Sequence, residues 1–323
     1  VIVAVDGKSI KDMLLPKVVS RIKGPKGTEV VLTVQREGEP KDLEIRIVRS
    51  RIEIKNIQGR LLTEHANIGY VKITGFVPTT NLELGRMVRR LEREAPGSKL
   101  EGLILDLRRN SGGLLKQGIK VADRFLREGS IVTVKSRGEP DEIHEATSHG
   151  TWDVPLVVLV DDGSASASEI VASALQDGGR ALVVGDRTFG KASVQTLFSP
   201  MLRDDYYIKL TVARYYSPSG RTLQVVGVQP DVIVPPEADK AMPLGFREEN
   251  LSHHLMGLNP TYRSTNASWS RAMEACANKE GNAKSLREKN PRPAVRYDYQ
   301  IHRSADLLAC MKTQRWTRST RRP

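Results

Sequence analysis

The spacing of apolar and polar residues divides the start of the chain from the rest. Apolar residues alternate over residues 1–5, which predicts a strand, and an amphipathic stretch at 15–24 predicts a short helix. Residues 28–48 contain two alternating stretches around a polar, glycine-containing turn, which is the pattern of a β-hairpin. We therefore predict a small module of a strand, a helix and a hairpin within residues 1–50.

From residue 68 onward, short apolar runs and amphipathic runs follow each other in turn. Strands that alternate with helices indicate an α/β layer fold with a largely parallel core sheet. The predicted strands are 68–76, 100–108, 130–135, 155–160 and 181–186, and the predicted helices are 82–94, 114–126 and the segment after residue 166.

Three loops follow predicted strands and contain small or polar residues. They are 107–115 (LRRNSGGLL), 161–169 (DDGSASASE) and 185–195 (GDRTFGKASVQ). Ligands and reacting groups in parallel sheets gather outside the carboxyl ends of the strands. These loops are therefore candidates for the walls of a single crevice.

The second loop contains three serines in the stretch GSASASEI, residues 163–170. Ser166 and Glu169 have the S-x-x-E spacing of a capping box, so Ser166 can simply satisfy the first N–H groups of a helix. A serine at the end of a buried strand can also be a nucleophile. The residues of this loop alone leave both interpretations open.

Two further loops offer groups that would assist such a nucleophile. Gly112 and Gly113 follow Asn110 and Ser111, and their N–H groups can bind an oxyanion, although a tight turn explains the same glycines. Lys191 lies among small and apolar residues. A lysine is usually a surface charge, but one removed from water can act as a general base for a serine.

Two neighbours would complete a site built on serine and lysine. Gln195 is four residues after Lys191, so the two share a face if this segment is helical, and the amide oxygen can orient the lysine. The residue after a nucleophilic serine often supplies an oxyanion N–H, which here is Ala167. A serine–lysine pair needs no histidine, and the six histidines show no metal-ligand spacing.

Composition limits the other classes of function. The formal charge is +12, and residues 237–323 hold 16 Lys and Arg against 9 Asp and Glu, ending in the basic stretch 312–323. Without aromatic platforms or zinc spacing, this favours a solvated tail and no nucleic-acid partner. Two cysteines, Cys276 and Cys310, indicate neither a metal site nor a disulfide framework, and we predict no metal and no other cofactor.

Six ordered motifs carry a resemblance to a known family. DGKSI with VVSRIKGPKGTEVVLTV, DLRRNSGGLL, GSASASEIVASALQD, RTFGKASVQ, LTVARYYSPSGRTLQ and VQPDV resemble the carboxyl-terminal processing, or tail-specific, serine proteases of bacterial envelopes and chloroplasts. The resemblance runs from residue 1 to about 236. Beyond it, only 297–308 (YDYQIHRSADLL) resembles a family feature, the closing helix of bacterial members.

The resemblance implies roles for individual residues. Ser166 matches the nucleophile, Lys191 the general base and Gln195 the residue that orients the lysine. Gly112 and Ala167 match the backbone donors of the oxyanion hole. The other serines of the cluster and Glu169 then have structural roles. Ser111 departs from the family, since many members have proline there, which should change loop stiffness more than chemistry.

The resemblance also implies a fold and three regions. Residues 1–50 resemble the second half of a PDZ domain, and the parts that would bind a substrate carboxylate would precede Val1, so we expect weak tail binding. Residues 51–236 are expected to be a Ser-Lys protease core of the ClpP/crotonase-like α/β type. Residues 237–323 are expected to be an extension with a closing helix and a basic tail.

The implied function is a serine endopeptidase that acts on proteins with accessible C-terminal tails. The implied location is the periplasm of the bacterial envelope. An adaptor or activator is an expected partner, and homo-oligomerisation is expected as well. One alternative is a crotonase-like acyl-CoA enzyme, which the loops do not favour because they lack an obvious acidic pair. The other alternative is a PDZ scaffold without catalysis.

Overall fold

The computed structural model describes residues 1–50, 55–62, 64–65, 67–147, 150–198, 207–237, 245–257 and 298–313. The chain forms two compact units, Val1–Lys55 and Asn56–Pro323. The sequence predicted a boundary after residue 50. Cys276 and the basic stretch beyond Thr313 lie outside the described residues.

The first unit is a four-stranded antiparallel sheet with one helix, so the predicted strand, helix and hairpin are confirmed. Its strands have the order β2-β1-β3-β4. Val5, Val30 and Leu32 form its small core. Its elements are β1 (Ile2–Val5), β2 (Lys8–Ser9), α1 (Leu15–Ile22), β3 (Glu29–Val34) and β4 (Leu43–Val48).

The second unit is built on a six-stranded sheet with the order β14-β11-β10-β7-β6-β5. All neighbouring pairs are parallel except β5 with β6, so the prediction of a largely parallel sheet is confirmed. The strands are β5 (Ile57–Leu61), β6 (Ile68–Ile73), β7 (Gly102–Asp106), β10 (Leu156–Val160), β11 (Leu182–Gly185) and β14 (Val232–Ile233).

Successive strands of this sheet are spatial neighbours, and right-handed crossovers then place the connecting helices on one face. The helices are α2 (Thr80–Glu94), α3 (Leu115–Asp123) and α4 (Ala167–Asp177). On this face, Leu84 and Val121 of the helices pack in one core with Leu105 and Val158 of the strands. Alternate residues of the same strands, such as Ile104, point into a second core on the other face.

A second sheet of the unit has the order β12-β13-β8-β9 and is antiparallel. The predicted strand at 130–135 belongs to this sheet, because the apolar pattern of a strand does not reveal which sheet it joins. The strands are β8 (Ser130–Ser136), β9 (Glu142–Glu145), β12 (Ser193–Phe198) and β13 (Ile208–Tyr216).

The last described helix, α5 (Tyr299–Thr313), covers the second face of the central sheet through Ile301, Leu308 and Met311. This is the helix expected from residues 297–308. Hydrogen bonds join the end of β7 to the start of α5. Arg108 donates to Asp298 at 2.8 Å and to Gln300 at 2.6 Å. Arg108 also pairs with the buried Asp106 at 2.7 Å.

Two observations on the described helices complete the fold. Cys310 of α5 is disulfide-bonded, and the cysteine spacing indicated no disulfide framework. None of the described helices is both long enough and apolar enough to cross a membrane.

Candidate active site

The three predicted loops meet at one edge of the central sheet. They follow β7, β10 and β11, which are direct neighbours and parallel, so their carboxyl ends lie side by side. Ala165 N–H donates to Asn110 O at 3.0 Å, and Phe189 N–H donates to Ser164 O at 3.0 Å. Backbone hydrogen bonds therefore join the first loop to the second and the second to the third.

The three serines of the cluster have different environments. Ser164 and Ser168 are fully buried, and their hydroxyls donate at 2.8 Å to Leu107 O and Asn110 O. Ser166 is half-buried and has φ 56 and ψ −115, a left-handed backbone conformation that is uncommon outside glycine. Only Ser166 of the three thus combines partial exposure with an unusual backbone.

Glu169 lies under the site and is fully buried. Its Oε2 accepts the N–H of Ser166 at 2.8 Å and that of Lys191 at 2.9 Å. Its Oε1 accepts the Thr188 hydroxyl at 2.6 Å and Gly190 N–H at 2.7 Å. The bond to Ser166 is the capping contact expected from the S-x-x-E spacing, and the other three contacts join the second loop to the third.

Burial raises the pKa of Glu169 to about 7, while its four hydrogen-bond donors act in the opposite direction. In the folded chain the carboxyl keeps its proton up to about pH 7, whereas in the unfolded chain it loses the proton near pH 4.5. The contribution of Glu169 to the free energy of unfolding is therefore full below pH 4.5. It falls by about 3 kcal/mol as the pH rises to 7.

We expect Glu169→Gln, which is neutral at every pH, to lose this pH dependence. The measurement is urea unfolding of wild type and variant between pH 4.5 and 8, and the difference between their free energies isolates the carboxyl from other titrating groups. The amide NH₂ would also face N–H donors, which lowers stability by about 1–3 kcal/mol. Equal pH slopes in the two proteins would show that Glu169 does not titrate in this range.

Lys191 is half-buried in the third loop, just before β12. Its Nζ lies 3.5 Å from Oε1 of Gln195, at the outer limit of a hydrogen bond. Lys191 and Gln195 would share a face if this segment were helical, but Ser193–Phe198 is a strand, so that condition is not met. A register shift in the pairing of β12 with β13, between Val194 and Gln195, accompanies the approach of the amide to the lysine.

Gly112 contacts the serine loop directly. A Cβ at this position would lie 2.7 Å from Ala165 O, 2.8 Å from Ser166 Cβ and 2.9 Å from Ala167 N, and its φ is +99. Only glycine allows the two loops to approach so closely. From the sequence, either a tight turn or an oxyanion site explained this glycine. In the structure Gly112 has both the positive φ of a tight turn and a close contact with the serine loop.

The two N–H groups predicted to bind an oxyanion differ in this structure. Within the described parts of the chain, Ala167 N–H has no hydrogen-bond acceptor. Gly112 N–H donates to Oδ1 of Asn110 at 2.9 Å, and the Asn110 amide in turn donates to Ile73 O at 2.9 Å. Asn110 is fully buried, so this side chain holds the glycine loop closed.

Two side chains at this site were not predicted from the sequence. Asn110 was noted only as part of a glycine-containing turn, although an Asn two residues before a glycine often forms such a turn. Tyr215 of β13 is 1% exposed, and its hydroxyl donates to Lys191 O. No local sequence pattern indicated Tyr215, since the pairing of distant strands places it there.

The described residues contain no group of three or more His, Cys, Asp or Glu side chains that could hold a metal ion. The polar groups at the three loops include one accessible serine, one lysine, one buried glutamate and backbone N–H groups.

Comparison with known proteins places the chain in a family. The model of peptidase family S41 matches residues 67–234. A carboxy-terminal-processing protease of Bartonella bacilliformis is 40% identical over 258 residues, covering 78% of this chain and 58% of the relative. A carboxyl-terminal-processing protease of Synechocystis is 37% identical over 235 residues, covering 72% and 54%. The chain belongs to peptidase family S41, the family of the carboxyl-terminal-processing proteases.

A solved structure gives a similar result. The photosystem II D1 C-terminal processing protease is 32% identical, with a TM-score of 0.51, and the match covers 73% of this chain and 63% of that one. The chain spans about half the length of the curated relatives that it matches, 58% and 54% for these two.

Proposed function

We propose that this chain carries the catalytic machinery of a serine endopeptidase in which Ser166 is the nucleophile and Lys191 the general base. One observation carries the proposal. The two residues come from different loops, and a single carboxylate oxygen of the buried Glu169 accepts both of their N–H groups. The backbones of an accessible serine and a lysine are thereby held close together by one buried carboxyl group.

In the proposed reaction, neutral Lys191 takes the proton of the Ser166 hydroxyl as Oγ attacks a peptide carbonyl. The amide of Gln195, 3.5 Å from Nζ, orients the lysine. Lys191 then returns the proton to the leaving amine. Water activated by the same lysine releases the acyl-enzyme, so a single base serves both halves of the reaction.

The oxyanion hole of the proposal consists of Ala167 N–H and Gly112 N–H. Ala167 N–H has no acceptor among the described residues and is therefore available to the substrate oxygen. Gly112 N–H must first exchange Asn110 Oδ1 for that oxygen. Removing one oxyanion-hole donor typically lowers kcat by ~100- to 1000-fold, so this exchange would strongly affect the rate.

We propose further that the core has the crotonase-like arrangement and that the first unit is part of a PDZ domain that binds C-terminal tails of substrates. Leu15 and Val19 of α1 lie one turn apart and are 73% and 37% exposed, so this helix offers an apolar face to a peptide. An envelope location and activating or oligomeric partners belong to the same proposal and rest on the resemblance of the motifs.

The test is digestion of unfolded β-casein by the wild-type chain, with mass spectrometry of the products. The expected products are internal fragments, formed at an unchanged rate in EDTA because the proposed chemistry uses no metal. Ser166→Ala is the matched control, since it removes a single oxygen. The absence of products, inhibition by EDTA, or cleavage by Ser166→Ala would each contradict the proposal.

A further inference from the structure

Two consecutive residues, Gln224 and Val225, hold the backbone on both sides of Lys191. Ala192 N–H donates to Oε1 of Gln224 at 2.9 Å. Val225 N–H donates to Gly190 O at 2.7 Å. The Gln224 side chain is fully buried. The third loop is therefore fixed immediately before and immediately after the proposed general base.

Three contacts determine which way the amide of Gln224 faces. Its NH₂ group donates to Oε1 of Glu248 at 2.9 Å and to Leu255 O at 3.1 Å. A carbonyl oxygen and an ionised carboxylate can only accept a hydrogen bond, whereas a backbone N–H can only donate. The amide oxygen must therefore face Ala192 N–H, since the reverse orientation would lose all three bonds. Glu248 is itself buried, with 7% exposed.

The groups that orient this amide lie in residues 245–257, beyond the residues 67–234 that the family model matches. The same segment is attached to the third loop at three further points. Glu248 N–H donates to Phe189 O at 3.0 Å. The other two are ion pairs, Arg247 with Asp186 at 2.8 Å and Arg187 with Glu249.

The backbone beside Gln224 has an unusual conformation. Val225 has φ +70, which is rare for a β-branched residue. It faces Gly190, where a Cβ would lie 2.8 Å from Val225 O. Such conformations persist only where the surrounding structure determines them, and they are concentrated at functional sites. The close approach of this segment to the third loop is therefore maintained against a local cost.

We infer that Gln224 is a positioning residue of this peptidase, whose amide, oriented by Glu248, holds Ala192 N–H and with it the backbone from which Lys191 reaches the Ser166 hydroxyl. This inference rests on the proposed function. Gln224 acts through the backbone of the third loop and supplies no group to the reaction itself. A displaced base lowers the rate of the chemical step without weakening substrate binding.

The test is Gln224→Leu, which keeps most of the side-chain volume and removes the amide. We expect kcat for casein cleavage to fall by about 10- to 100-fold, with KM within about twofold of wild type. The matched control is Gln176→Leu in α4. Gln176 is 5% exposed, and its NH₂ group likewise donates to two acceptors, Gln229 O at 2.8 Å and Asp231 Oδ1 at 3.0 Å. This control should lose stability, measured by urea unfolding, and keep the wild-type kcat.

Glu248 offers a second pair of variants. Glu248→Leu removes the acceptor that orients the Gln224 amide, so kcat should fall while KM stays near the wild-type value. Glu248→Gln keeps an oxygen that can accept from the amide. It should therefore restore most of the kcat that Glu248→Leu loses, a pattern that a general loss of stability would not produce.

Each outcome has a defined meaning. If wild type cuts casein and Ser166→Ala does not, the proposed function stands. A wild-type kcat in Gln224→Leu, a change in KM alone, or an equal loss of kcat in Gln176→Leu then overturns the positioning role. If wild type is inactive, the proposed function and the role of Gln224 fall together. If Gln224→Leu does not fold, the Glu248 variants decide: a lower kcat in Glu248→Leu than in Glu248→Gln supports the role, and equal values overturn it.

Discussion

Lys191→Ala and Lys191→Arg are both expected to lower kcat/KM for casein cleavage by at least about 10³-fold. Alanine removes the proposed base. Arginine keeps the positive charge and most of the length but cannot lose its proton near neutral pH. Loss of activity in both variants would show that the site needs a base at this position and not merely a cation.

The fold should tolerate these changes. The contacts of Lys191 with Glu169 and Tyr215 use its backbone N–H and carbonyl, which any side chain preserves. Circular dichroism and urea unfolding should therefore show folded variants. Lys209→Ala, at an exposed lysine of β13, is the control for a general effect of lost charge. Activity near the wild-type level in Lys191→Arg would exclude the lysine as general base.

Gly112→Ala is expected to reduce kcat/KM by about 10²-fold or more and to destabilise the fold by about 2–5 kcal/mol. The added Cβ would lie under 3 Å from atoms of Ala165, Ser166 and Ala167. Two of these atoms belong to the backbone of the serine loop, so a rotated side chain cannot relieve the clash. The two loops must separate, which displaces both Ser166 and the Ala167 N–H away from Gly112.

Backbone strain and steric clash at this position can be separated with a second glycine. Gly129 has φ +88, close to that of Gly112, but a Cβ there would meet nothing within 4 Å. Gly129→Ala should therefore cost about 1 kcal/mol of stability and leave kcat/KM unchanged. The measurements are urea unfolding and casein kinetics on both variants. If Gly112→Ala behaves like Gly129→Ala, close approach of the loops is not required for activity.

Much of the site could be predicted because its parts lie at the ends of consecutive strands. The apolar runs at 100–108, 155–160 and 181–186 fix where β7, β10 and β11 end, and a parallel sheet brings those ends to one edge. The sequence therefore placed the three loops together correctly. The family motif also separated Ser166 from Ser164 and Ser168; in the structure Ser164 and Ser168 are fully buried and Ser166 is half-buried.

The parts that could not be predicted depend on contacts between distant segments. Tyr215 reaches the site through the register of β13 with β12, and a register is set by the packing of a whole sheet. The role of Glu169 in joining two loops is likewise hidden, because the S-x-x-E spacing reveals only the local bond to Ser166. The bond of Gly112 N–H to Asn110 depends on side-chain direction, which spacing does not define.

The tie between Arg108 and α5 has a consequence for the order of events during synthesis. Every residue of the proposed catalytic machinery leaves the ribosome before residue 216, and domains tend to fold from the N-terminus as the chain emerges. Arg108, two residues before Asn110, obtains Asp298 and Gln300 as partners only much later. The contacts between the end of β7 and α5 can therefore form only after the chain has been made beyond residue 300.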